Sequence, residues 1–195
     1  RNEDGLIIPP GSFIEIAERN GSILQVGEAV FRKVCRFLSE NSPDKYGIRY
    51  IEVNLSMVQC AYSHLAKAYI AVMEEYGVNS DLINLEITES ASANSKKVLL
   101  ENMRELMEYG VNFSLDDFGT CQSNLDYIAD MPVDIVKFDK GMTNAYFESR
   151  KTKYIMDAAT NMIKGMNLKI VSEGIETEEE YKVMKEMGIN YIQGY

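Results

Sequence analysis

Six stretches of the sequence close on residues that can carry charge or bind a cation. They are Glu52-Val53-Asn54-Leu55-Ser56, Glu86-Ile87-Thr88-Glu89, Asp116-Asp117-Phe118-Gly119, Lys137-Phe138-Asp139, Glu173-Gly174-Ile175-Glu176 and Gln193-Gly194-Tyr195. Each follows or ends a short apolar run. If a fold drew Asn54, Glu86, Asp116, Asp117, Glu173 and Glu176 to one place, the carboxylates would repel strongly in a partly dry site. Lys137 supplies one compensating charge. Hard divalent cations bound by oxygen would supply the rest. His64 is the single histidine, and Cys35, Cys60 and Cys121 show no close-spaced ligand pattern. Magnesium or manganese is therefore favoured over zinc.

Each piece also has an ordinary reading. Asp116-Asp117 alone is a turn or a helix cap. Glu173 to Glu176 alone supplies acids before a helix, where they favour its N-terminus. Asn54-Leu55-Ser56 alone is an N-cap, and Lys137 alone is a surface lysine. The run Glu178-Glu179-Glu180 reads as a solvated first turn. What sets the six ends apart is their register on successive strands.

Those strands must be positioned by the rest of the chain. Helical sequence repeatedly ends at a Gly, then an apolar residue, then Asn: Gly77-Val78-Asn79, Gly110-Val111-Asn112, Gly188-Ile189-Asn190 and the variant Gly165-Met166-Asn167. Gly in that place takes the left-handed C-cap conformation at little cost. The joints lead toward short β-branched or aliphatic runs: Tyr50 to Leu55, Ile83 to Thr88, Val111 to Leu115, Asp134 to Asp139, Lys169 to Ser172 and Tyr191 to Gly194. Such runs predict buried parallel strands. Amphipathic patterns predict helices over Ala61 to Tyr76, Ser95 to Tyr109, Thr143 to Met166 and Glu178 to Met187, with a shorter one over Ser123 to Ala129. Two more, Gly11 to Arg19 and Val26 to Ser39, precede the first strand.

This alternation means a parallel α/β sheet. An open nucleotide-binding sheet usually carries a Gly-rich first turn, and neither GxGxxG nor GxxxxGK[ST] is present. The expectation is a (β/α)8 TIM-like barrel, whose strand ends share one face. Six strands are short of eight and the chain opens on helices, so its first strands are expected to be missing from this sequence. One domain is expected over residues 1–195.

Bulk properties narrow the function. The chain has 195 residues, 46% of them hydrophobic and 26% charged, with a formal net charge of −10. That charge argues against a nucleic-acid polymer as partner. It leaves room for a small phosphate ligand, because bound cations reverse the local sign of a site. No apolar run approaches the length of a membrane span and no signal peptide is visible; with its thiols read as reduced, the domain is expected in the cytoplasm, without membrane contact of its own, whether or not the full-length protein is membrane-anchored. The odd number of cysteines reads as reduced thiols.

In order and spacing, these motifs resemble the EAL family of cyclic-di-GMP phosphodiesterases. Gly5 to Pro9, with Phe13-Ile14 and Ala17-Glu18, is similar to the segment after its name-giving motif. Asn54 to Ser56 resembles NLS, Leu85 to Ser90 LExTES, and Asp116 to Thr120 DDFGT. Val136 to Asp139 resembles the KxD strand, Ser172 to Thr177 AEGVET, and Gln193 to Tyr195 QGY. The resemblance implies Mg2+ or Mn2+, as two ions, and hydrolysis of cyclic di-GMP to linear pGpG. It implies metal ligands at Asn54, Glu86, Asp116 and Asp117, with Asp116 bridging. Lys137 would orient the attacking water and steady developing charge, and Glu173 would act as general base or as a close ligand of that water. Glu176, Gln193 and Asp139 would support site and substrate, and Glu89 would anchor the loop after Asp117. A homodimer and attached sensory or cyclase domains are also implied.

The chain departs from the pattern in two places. The name-giving glutamate would precede Gly5, outside this sequence. After Thr120 the family continues GYSSL, whereas here Cys121-Gln122-Ser123-Asn124-Leu125 follows; Cys121 in place of Gly removes easy access to positive φ. The alternative expectation is therefore a catalytically inactive EAL domain that senses cyclic di-GMP or binds another protein. An unrelated metal-dependent barrel hydrolase or lyase fits the register of motifs less well.

Overall fold

A computed structural model of the chain describes residues 5–88, 96–120 and 125–194, with the side chains of 125–127 excepted. Glu89, Cys121, Gln122 and Tyr195 lie outside the described residues. The described residues form two compact units.

The first unit takes the chain up to Ile83, with the helix that ends before Val111. It holds α1 (Ile14–Asn20), α2 (Ile23–Glu40), β1 (Ile51–Asn54), α3 (Met57–Cys60), α4 (Leu65–Tyr76) and α5 (Lys96–Tyr109). Along α2, Ile23, Gly27, Phe31, Cys35 and Leu38 recur at helical spacing and are buried, the stripe an amphipathic helix turns toward a core. Phe31 stacks on Tyr69 of α4 with ring centroids 3.9 Å apart. Gly27 has a steric reason: a Cβ there would lie 1.9 Å from Gln59 Nε2. The Gln59 side chain closes a capping box with Ser56, and its Nε2 donates to Tyr69 Oη at 3.2 Å. The expected helix over Ala61 to Tyr76 is shorter, beginning at Leu65 with His64 as its N-cap residue. Between α3 and α4, Asn102 Nδ2 donates to the carbonyls of Cys60 at 3.1 Å and Tyr62 at 2.9 Å. Its Oδ1 accepts from the Ala66 amide at 3.3 Å. One buried amide thus satisfies the backbone of a non-helical joint, which burial would otherwise penalise.

The second unit begins at Asn84 in β2 (Ile83–Thr88) and continues from Asn112 onward. It contains β3 (Asn112–Phe118), α6 (Leu125–Asp130), β4 (Ile135–Phe138), α7 (Lys140–Glu148), α8 (Arg150–Gly165), β5 (Lys169–Glu173), α9 (Glu178–Glu186) and β6 (Tyr191–Gln193). β2 to β6 pair side by side in chain order, every pairing parallel. A doubly wound sheet reverses its strand order at a switch point. This run contains no reversal and has the succession of a (β/α) barrel. All four residues of β4 are buried, as expected of a parallel strand covered on both faces.

Two expectations change here. The strand over Val111 to Leu115 runs on to Phe118, so Asp116 and Asp117 are strand residues rather than a turn. The extension is irregular: the β3–β4 register shifts between Leu115 and Phe118, and Asp117 sits at φ 56°. A left-handed residue inside a strand re-aims its neighbours, as β-bulges do. The helix over Thr143 to Met166 is two helices. It breaks at Ser149, which is extended at φ −131° and accepts from the Thr152 amide as N-cap of α8. At the Gly165-Met166-Asn167 joint the left-handed residue is Asn167, at φ 61°, whereas at Gly77 it is the glycine, at φ 63°.

Candidate active site

Side chains alternate across a strand, so residues two apart share a face. On β2 that pairs Asn84 with Glu86, and on β3 Ser114 with Asp116. Asn84 Nδ2 donates to Ser114 Oγ at 2.5 Å, a buried polar layer. One step further along, Glu86 and Asp116 share their face with Lys137 of β4 and Glu173 at the end of β5. The Lys137 ammonium lies 2.6 Å from Glu86 Oε1, 2.9 Å from Glu173 Oε1 and 3.4 Å from Asp116 Oδ1. Its side chain is 5% exposed.

A lysine there is a buried charge surrounded by excess acid. Burial works against its ammonium, but the hydrogen bonds to Glu173 and Glu86 and the field of Asp116 outweigh that and hold its pKa above the ordinary lysine value. Asp117 moves up from the usual carboxylate range, first through desolvation and then through the fields of Asp116, Asp139 and Glu173. Three carboxylates contact one ammonium, so negative charge remains in excess. Asp116 Oδ1 is buried and makes no hydrogen bond among the described residues, which leaves an oxygen with acceptor capacity. All-oxygen donors, excess negative charge and an open acceptor fit a hard divalent cation. No three Asp, Glu, Cys or His side chains among the described residues are arranged about a common point as ligands of an ion; here they are arranged about Lys137.

The remaining expected residues divide. Asp139 is the N-cap of α7, its Oδ1 accepting from the Gly141 amide at 2.6 Å. Glu176 pairs with Lys140 at 2.7 Å. Gln193 stands opposite Glu173 in the β5–β6 register, and its carbonyl accepts from the Ile175 amide at 3.3 Å. Asn54 ends β1 in the first unit. Ser56 is the N-cap of α3, a structural role. Within Glu178-Glu179-Glu180, Glu180 does more than face solvent. Its Oε2 accepts from the amides of Glu176 at 2.9 Å and Thr177 at 3.0 Å, which lowers its pKa. The signal for it was the Thr177-x-x-Glu180 capping-box spacing. Sequence reasoning also missed Lys140, which no motif marks. An apolar cavity of about 710 Å3 lies beside the site, between Phe118, Met142, Ala145 and Ile155 among others. None of Glu86, Asp116, Lys137 and Glu173 lines it.

The EAL domain model matches residues 1–195. The chain belongs to the EAL domain family. It is 32% identical over 189 residues to the bifunctional diguanylate cyclase/cyclic di-GMP phosphodiesterase MucR of Pseudomonas aeruginosa, an alignment covering 97% of this chain and 28% of MucR. It is 33% identical over 197 residues to the cyclic di-GMP phosphodiesterase NbdA of the same organism, covering 97% of this chain and 24% of NbdA. The chain thus spans about a quarter of the length of the curated relatives it matches. Among solved structures, the PaMucR phosphodiesterase in complex with c-di-GMP superposes with a TM-score of 0.88 at 32% identity, over 99% of this chain and 78% of that one. The fold is the EAL-type barrel fold. Among the described residues no helix is long and apolar enough to cross a membrane.

Proposed function

We propose that this domain hydrolyses cyclic di-GMP to linear pGpG, with the strand-end cluster around Lys137 as its reaction centre. The observation that carries the reading is the Lys137 ammonium, 2.6 Å from Glu86 and 2.9 Å from Glu173, on the strand ends where the family motifs fall. Relatives at 32% and 33% identity bear the name of cyclic di-GMP phosphodiesterases.

Hydrolysis joins a water oxygen to phosphorus and breaks the bond to the leaving ribose oxygen. Glu173, 20% exposed, is placed to take the proton the water gives up. Lys137 holds the Glu173 carboxylate in position and offers positive charge to the phosphoryl oxygens as negative charge develops. By the family pattern Glu86, Asp116 and Asp117 would hold the divalent ions, with Asn54 as a further ligand. Such ions, magnesium or manganese, supply Lewis acidity and a lowered pKa for water. Glu176, Gln193, Asp139 and Glu89 take the supporting roles the resemblance gives them. In the same reading the domain works in the cytoplasm as a homodimer within a longer signalling protein that carries sensory or cyclase domains.

One observation favours a second reading. Cys121-Gln122 stands where the family has Gly-Tyr, directly after the metal-ligand motif, as in a domain that binds cyclic di-GMP without cleaving it. The full-length protein, incubated with cyclic di-GMP and magnesium or manganese, separates the two. Linear dinucleotide that forms with the metal and fails to form when EDTA is present from the start supports hydrolysis. Saturable binding with no product establishes the sensor.

A further inference from the structure

The turn from β5 to α9 carries both Glu173 and Glu176, and its backbone is held at several points. Ile175 is buried and its amide donates to the Gln193 carbonyl. At the next peptide, a Cβ on Gly194 would lie 1.6 Å from the Ile175 carbonyl oxygen, so only glycine lets the end of β6 approach. The Glu176 and Thr177 amides are fixed by Glu180. Ser172 Oγ, just before the turn, lies 3.0 Å from Thr143 Oγ1 of α7 in a buried hydroxyl pair.

Lys140, the first residue of α7, completes this frame in two ways. Its stem lies over Gly174, which has φ +77°; a Cβ there would stand 2.5 Å from Lys140 Cγ and 3.0 Å from Lys140 Cβ. Its ammonium reaches past that contact to Glu176 Oε1 at 2.7 Å. Lys137 and Lys140, three residues apart, thus grip Glu173 and Glu176, also three apart, from the same β4–α7 segment. In the inner pair Lys137 is buried and Glu173 is 20% exposed. The outer pair is about half exposed, and such pairs contribute little to stability. What the outer pair can supply is orientation of the turn.

We propose that Lys140 is a positioning residue: it clamps the Gly174–Glu176 turn and so sets where Glu173 stands. This rests on the hydrolase reading of the Lys137 cluster. Small displacements of a catalytic group are costly, so Lys140→Met lowers turnover of cyclic di-GMP about tenfold, mostly in kcat. The thermal midpoint is unchanged. Lys140→Arg, which keeps the charge and most of the stem, restores activity to within about threefold of wild type. The double variant Lys140→Met/Glu176→Gln is slowed by less than the product of the two single effects, because both changes break one coupling.

A second readout does not depend on turnover. Hydrogen exchange at the Ile175 amide quickens in Lys140→Met, while exchange at Val171, within β5, stays as in wild type. An active wild type with a fully active Lys140→Met, or unchanged exchange at Ile175, overturns the clamp alone. A wild type with no turnover overturns the hydrolase reading, and the exchange measurement still decides the clamp.

Discussion

Each unit of the chain has a cation gripped by acids, and the two are built differently. In the first, Arg32 Nε lies 3.0 Å from Glu28 and Arg32 Nη1 2.6 Å from Glu75, with the arginine side chain 38% exposed. In the second, Lys137 faces Glu86, Asp116 and Glu173 at 5% exposure. Distances alone do not separate them. Around Arg32, water screens the charges, a forked donor matches its acceptors, and the pair staples α2 to α4 as one surface contact among many. Around Lys137, water is largely excluded, three acids face one cation, and among the described residues an Asp116 oxygen lacks a hydrogen bond. Stability alone would favour apolar residues in that space. The buried arrangement makes sense as chemistry, the exposed one as packing.

The largest effect should come from removing the buried cation. Lys137→Met leaves three carboxylates, Glu86 buried and Asp116 and Glu173 largely so, facing one another without a cation and should destabilise the protein by about 3–5 kcal/mol, read by urea denaturation in EDTA. A loss as small as an exposed pair gives would mean that the cluster is solvated like Arg32.

A steric change in the first unit comes next. Gly27→Ala puts a methyl group on the Gln59 amide, which must abandon Tyr69 or its capping box. The expected cost is about 1–3 kcal/mol with turnover retained, since the disturbance stays in packing. A stabilised variant would contradict the contact between α2 and α3.

A smaller effect follows from buried thiols in the same unit. Burial raises Cys35 to about 11 and Cys60 to about 12 from an ordinary 9.0. Burial also raises Tyr69. Groups whose folded pKa is raised lend stability that is complete below the unfolded value and is lost as pH rises toward the folded one. The melting temperature should therefore decline from about pH 9 toward pH 11. In Cys60→Ala the decline should be shallower, whatever the variant's absolute stability.

How much of this was legible in the residues depends on which force sets each feature. β2 was read at its observed ends, Ile83 and Thr88, because the alternation of Ile83, Leu85 and Ile87 with polar residues is written locally. The acids at the strand ends were legible because strand alternation and barrel topology place them without further information. β3 was misjudged because Asp117 adopts φ 56°, and no local pattern in Asp-Asp-Phe-Gly separates a turn from a bulged strand. The break at Ser149 was hidden inside an amphipathic pattern, since a single Ser is tolerated within a helix although it favours caps. Lys140 was invisible for a different reason: its role comes from packing on Gly174, 34 positions away in sequence, which no spacing rule encodes.

A matched pair of substitutions tests the central claim most directly. Glu173→Gln and Glu75→Gln each remove one negative charge beside a gripped cation, one in the buried cluster and one in the exposed pair. Turnover of cyclic di-GMP by the full-length protein, with manganese or magnesium, should fall at least about a hundredfold in Glu173→Gln and stay within about twofold of wild type in Glu75→Gln. Equal turnover in the two variants would contradict the assignment of the Lys137 cluster as the reaction centre.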